Sequence, residues 1–81
     1  MRLDKYLKVS RLIKRRTVAN EACDAGKILV NDKVARASYE VKIGDIIEIK
    51  LARNVKVKVL NISEIANKSN AAELFEIIVV E

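Results

Sequence analysis

Leu3, Tyr6 and Leu7 open the chain with an i, i+3, i+4 apolar stripe, which predicts a short helix over Arg2–Lys8. Arg2, Lys5 and Lys8 step around its flank. Asp4 falls in the first turn, where a carboxylate suits the positive end of the helix dipole. A second helix is predicted from about Arg15 or Arg16 to Ala25, with Val18, Ala22 and Ala25 as its buried row and Ala19 and Cys23 beside them. Gly26 follows as a terminating glycine, and Lys27 stands close to the negative end. The small side chains of this helix let it pack closely on the first.

After Gly26 the period changes from helical to alternating. Ile28–Val30 leads into Asn31-Asp32, a tight hairpin turn because both residue types tolerate positive φ, and Lys33–Arg36 returns. Val41 and Ile43 come next, then a Gly44-Asp45 turn. In IIEIKL, Ile47, Ile49 and Leu51 are expected to face inward and Glu48 and Lys50 outward. Val55–Val59 alternates most cleanly, with valines on one face and Lys56 and Lys58 on the other. Asn67–Asn70 reads as a polar loop, Ala71–Glu73 as a helical turn, and Phe75–Val80 as a final, largely buried strand. The whole describes an α+β domain over residues 1–81, in which two short basic helices pack on a small, mostly antiparallel sheet.

At 81 residues the core is small, but a hydrophobic share of 51% favours a compact globule over disorder. Aromatics make up only 4%, so aliphatic side chains must fill the interior. There is no histidine and one cysteine, Cys23, which argues against a metal site or a disulfide framework and for a reducing cytoplasm. The N-terminus is too charged for a signal peptide, and no apolar run approaches the roughly 20 residues that span a bilayer. With no glycine-rich phosphate loop, no paired carboxylates and no partner to activate Cys23, the chain is expected not to be an enzyme and to need no cofactor. Cys23 reads as a core thiol.

Charge changes the picture more than composition does. The net charge is +5, and its distribution is lopsided. Residues 1–36 carry ten Lys/Arg against four acids, a net of +6, whereas residues 37–81 carry six against seven, a net of −1. A basic run usually means only a solvated face. Here, however, Lys14, Arg15 and Arg16 crowd the start of a helix, where each cation costs up to about 1 kcal/mol against the dipole. That same terminus attracts phosphate, and arginine forks onto phosphate bidentately. The placement therefore points to nucleic acid. Arg16 and Asn20 share one face of the second helix, beside Arg2, Lys5 and Lys8 on the first. Tyr6 reads as core rather than as a stacking platform, so phosphate and shape recognition of folded RNA is favoured. Asn31 either holds the hairpin turn or touches RNA. A membrane-surface role is disfavoured, because Arg2–Lys8 is short and its stripe narrow.

Taken in order, RLDKYL, R-x-x-K-R-R over Arg11–Arg16, AxxAGKILVNDKVA and GDIIEI resemble the RNA-binding domain named after small-subunit ribosomal protein four. The resemblance spans Arg2 to about Leu51, with strands over 55–80 completing a stand-alone version, and it implies the αL RNA-binding fold. The chain begins on the motif and ends after the sheet, so the expectation is a free-standing member without a catalytic domain. It is similar to heat-shock protein fifteen, and more so to the compact bacterial factors that stabilise P-site tRNA in ribosome-associated quality control.

That resemblance implies contact with 23S rRNA and tRNA on a stalled large ribosomal subunit, beside a factor that directs alanine tailing. A monomer in the cytoplasm is expected, and recycling of free large subunits or ribosome assembly is the alternative. Arg2 and Arg16 match family arginines that face RNA, and Lys5, Arg11, Lys14 and Arg15 match its basic surface. Lys8 stands where heat-shock protein fifteen has an aromatic, Asp32 where the family has a turn glycine, and Ala37-Ser38 where Lys-Pro is common. The candidate RNA-contacting set is Arg2, Lys5, Lys8, Arg11, Lys14, Arg15, Arg16, Asn20, Lys27 and Lys33.

Overall fold

The computed structural model describes residues 1–62 and 74–80. Helix α1 spans Leu3–Val9 and α2 spans Arg16–Asp24; the strands are β1 (Ile28–Val30), β2 (Lys33–Val34), β3 (Ile46–Lys50), β4 (Asn54–Val59) and β5 (Phe75–Val80). They form one antiparallel sheet in the order β2-β1-β3-β4-β5. The expected polar loop at Asn67–Asn70 and helical turn at Ala71–Glu73 lie outside the described residues.

The stripe expected on α1 is the one it buries: Leu3, Tyr6 and Leu7 are fully enclosed. On α2 the buried row is Ala19, Ala22 and Cys23, whereas Val18 is 42% exposed and Ala25 lies at the surface. The helix is thus turned by about one residue, roughly 100°, from the expected Val18–Ala22–Ala25 row. The cause is polar. Arg16 and Asn20 both reach Asp4 of α1, and that anchoring turns the Ala19–Cys23 row against α1, where small side chains allow close approach. The C-terminus of α2 closes as expected. Gly26, at φ 74°, donates its amide to the Cys23 carbonyl at 3.0 Å, and Lys27 donates to Ala22 at 3.0 Å.

The β1–β2 hairpin turns at Asn31 and Asp32, with φ of 52° and 69°. The return strand is shorter than Lys33–Arg36: β2 ends at Val34, Ala35 still donates its amide to the Ile28 carbonyl at 3.1 Å, and the chain then runs back to the N-terminus. There Leu3 donates its amide to Tyr39 at 2.8 Å, Asp4 to Ala37 at 3.1 Å, and Arg2 forms a β-bridge with Glu40. Val41 is buried in this seam, but Ile43 is 65% exposed on the following turn, outside any strand.

Three further expectations divide. Val57 and Val59 are buried and Lys58 is exposed, as the alternation requires. Leu51, expected inside, is 40% exposed because the sheet pairing of β3 ends at Lys50, opposite Asn54, and the chain bends away. β5 is not the largely buried strand expected: Ile77, Ile78, Val79 and Val80 are 40–55% exposed. Among the described residues it is an edge strand, paired with β4 and bulged where the register shifts.

Candidate nucleic-acid interface

The seam between the N-terminus and residues 37–41 fixes where α1 begins, and so where Arg2 and Asp4 stand. Asp4, whose side chain is only 3% exposed, accepts hydrogen bonds from the Lys5 amide (2.8 Å), Asn20 Nδ2 (3.4 Å), Arg16 Nη2 (3.4 Å) and Arg2 Nη2 (3.5 Å). Arg2 Nε and Arg16 Nε each lie 3.3 Å from one of its oxygens. Burial alone would raise the Asp4 carboxyl; the hydrogen bonds from Arg16, Asn20 and the Lys5 amide, with the Arg16 charge, hold it below its ordinary 3.8. The two arginines remain about half exposed, at 50% and 47%, so each offers guanidinium edge to solvent.

The start of α2 adds a second anion-favouring element. Its N-cap is Arg15, which makes no side-chain cap, and no acid stands in the first turn. A good cap contributes about 1 kcal/mol, and this helix forgoes it in favour of Lys14, Arg15 and Arg16, all exposed. The first intrahelical bond runs from Ala19 to the Arg15 carbonyl, leaving the amides ahead of it without helical partners.

Three shallow depressions run in series from this terminus. The first, about 390 Å³, is lined by Asp4, Arg16, Thr17, Asn20 and Glu21. The second, about 510 Å³, shares Asn20 and adds Arg2, Arg36 and Ser38. The third, about 590 Å³, continues past Arg36 and Ser38 to Lys33 and Tyr39. Together they trace a track from the mouth of α2 to the β1–β2 hairpin that carries Arg16, Arg2, Arg36 and Lys33, with Glu21 and Asp24 also in its lining. Guanidinium and ammonium groups along a shallow track can follow a phosphodiester backbone.

Of the ten candidates, Arg2, Arg16 and Asn20 converge on Asp4. Lys8, Arg11, Lys14 and Arg15 are exposed along the end of α1 and the connection to α2, which Ile13 anchors in the core. Lys5 is half-buried on α1, and Lys33 stands at the hairpin end of the track. Lys27 stands apart, beyond the far end of α2, roughly 14 Å of helix from Arg16. Two residues outside the set belong to the arrangement: Asp4, which gathers the arginines, and Arg36, which joins two depressions. An acid flanked by arginines two and twelve positions away was the available signal for Asp4, but only the meeting of α1 and α2 gives it meaning.

The remaining singled-out residues are structural. Tyr6 is fully buried and donates its hydroxyl to the Leu74 carbonyl, and burial pushes its pKa well above the ordinary value. Burial, with the charges of Asp4 and Asp24, pushes the Cys23 thiol up to about 11, so it stays protonated at neutral pH. Asn31 holds the turn: its Nδ2 donates to Asp45 (3.2 Å) and its Oδ1 accepts from the Ile46 amide (3.1 Å). Tyr39 joins the same network through Asp45 at 2.9 Å; burial and that hydrogen bond raise its hydroxyl.

Comparison with known proteins gives a consistent result. A family model described as the S4 domain matches residues 1–47. A Streptococcus pneumoniae protein named RQC P-site tRNA stabilizing factor is 51% identical, over 96% of this chain and 90% of its own length. A Bacillus subtilis protein of the same name is 46% identical, over 96% and 92%. The solved structure of Vibrio cholerae Heat Shock Protein 15, described as trimeric, superposes with a TM-score of 0.88 at 28% identity, covering 96% of this chain and 81% of that one. No helix among the described residues is long and apolar enough to cross a membrane.

Proposed function

The chain belongs to the S4-domain family, and on that premise we propose that it is a non-catalytic RNA-binding factor that stabilises P-site tRNA during ribosome-associated quality control. It grips 23S rRNA and tRNA on the large ribosomal subunit, as a single cytoplasmic domain acting as a monomer, beside a factor that directs alanine tailing. The observation that carries this reading is the pairing of Arg2 and Arg16, half exposed on one buried carboxylate beside an uncapped helix start. A folding liability of that kind is compensated when phosphate arrives. Lys5, Lys8, Arg11, Lys14, Arg15, Asn20 and Lys33 extend the contact, and Lys27 adds to the positive field from a distance.

The test is co-sedimentation with purified large subunits carrying P-site peptidyl-tRNA. Binding is expected to fall steeply with salt, and to vanish in an Arg2→Glu, Arg16→Glu variant that remains folded. Retained binding by that variant overturns the surface. The alternative implied by the sequence resemblance to heat-shock protein fifteen is recycling of free large subunits or ribosome assembly. Enrichment on empty or precursor subunits, rather than on tRNA-bearing ones, selects it.

A further inference from the structure

A negative charge beneath a phosphate-binding surface opposes binding. A first-turn acid can serve the helix dipole from the surface, yet Asp4 is 97% enclosed and turned onto two arginines. We infer that Asp4 is a positioning residue: it holds Arg2 and Arg16 edge-on, so that both present their remaining N–H groups to RNA phosphate from fixed positions. This rests on the RNA-binding reading above.

The geometry is specific. Arg2 sets Nε on Oδ1 at 3.3 Å and Nη2 on Oδ2 at 3.5 Å; Arg16 sets Nε on Oδ2 at 3.3 Å and Nη2 on Oδ1 at 3.4 Å. Each guanidinium therefore spans both oxygens with its inner edge and keeps Nη1 and the outer Nη2 hydrogen for a ligand. The carboxylate is itself fixed, by the Lys5 amide and Asn20 Nδ2. The arginine contacts are long for charge-assisted bonds, so the arginines are guided without being fully occupied. A free arginine loses much rotamer freedom on binding; these two have already lost part of it.

The test turns on a sign. Asp4→Asn makes the protein one unit more positive, so a purely electrostatic surface binds RNA more tightly. Positioning requires the reverse: binding to purified large subunits carrying P-site tRNA about ten-fold weaker. In an Arg2→Ala, Arg16→Ala background the same substitution is expected to cause no further loss. In the wild-type protein, the Arg2 and Arg16 Nε–Hε signals are expected at dispersed NMR shifts, collapsing to the free-arginine position in Asp4→Asn.

Equal or tighter binding by folded Asp4→Asn, or free-arginine signals in the wild type, overturns positioning. If Asp4→Asn unfolds, Asp4→Glu keeps the charge and displaces it by one methylene. Weaker binding by Asp4→Glu supports the proposal, and unchanged binding overturns it. Failure of the wild-type protein itself to bind the particles overturns the RNA-binding reading instead, which separates the two.

Discussion

At the helical end of the molecule, Arg11 sits at φ 65°, Arg15 leaves α2 uncapped, and Asp4 is buried under two arginines. At the opposite end of the sheet, β4 alternates valine and lysine, while β5 leaves four aliphatic residues about half exposed. The first region departs from local folding preference wherever a cation can be displayed. The second follows local preference and departs only in coverage, with β5 at the edge of the sheet. Departures that concentrate charge have a common explanation in a polyanionic partner, and departures in coverage do not. That difference is the ground for proposing that RNA is met at the helical end.

Charge reversal is expected to separate the two ends most. Arg2→Glu with Arg16→Glu is expected to weaken binding to tRNA-bearing large subunits by more than about 100-fold, since two charge-assisted contacts are lost. Lys56→Glu with Lys58→Glu, which changes the net charge by the same amount on β4, is expected to cost about three-fold or less. Equal losses in the two binding isotherms mean that net charge, and not the helical face, governs affinity.

Stability divides the ends in the same direction. Leu7→Ala removes a fully enclosed side chain and is expected to cost about 2–5 kcal/mol in chemical denaturation. Ile77→Ala, at a position 55% exposed, is expected to cost less than about 1 kcal/mol. A large loss at Ile77 means that the edge strand is covered in solution.

These two positions also mark what could be read from residues alone. The α1 stripe, the Asn31-Asp32 turn, the Gly26 terminus and the valine alternation of β4 are local properties, so each is legible within a few positions. The rotation of α2 is not, because it depends on Arg16 and Asn20 meeting Asp4 across 12 and 16 positions. Exposure of β5 is not legible either. An apolar run such as FEIIVV reads alike for a central strand and an edge strand, and only pairing on its second side separates them. The basic face of the candidate site was visible as charge asymmetry, but the carboxylate organising it looked like an ordinary first-turn acid.

The contribution of Asp4 to stability depends on pH. Its folded carboxyl titrates below 3.8, so it favours folding above that value, and the contribution is lost as pH falls through the folded pKa. Near neutral pH, Asp4→Asn is expected to destabilise by about 1–2 kcal/mol, less than for a fully buried pair because both arginines are half exposed. Thermal midpoints of the variant and the wild type are expected to converge as the pH is taken below 3.8. A gap that persists in strong acid means that packing, and not charge, holds Asp4 in place.

The smallest effect is the one that most directly weighs folding against binding. Arg11 follows the C-cap of α1 at φ 65°, a left-handed position that glycine adopts freely and a side-chain-bearing residue does not. At Gly26, which occupies the equivalent position after α2, the chain uses glycine. Arg11→Gly is therefore expected to raise stability by about 0.5–1 kcal/mol. The same change removes one exposed cation from the connection between the helices, and is expected to reduce the slope of log affinity against log salt by roughly 0.7–0.9. Denaturation and salt titration of one variant thus read both quantities. A rise in stability with a shallower slope means that the strained cation is kept for the phosphate it meets. A fall in stability assigns Arg11 a structural contact instead, and an unchanged slope removes it from the interface.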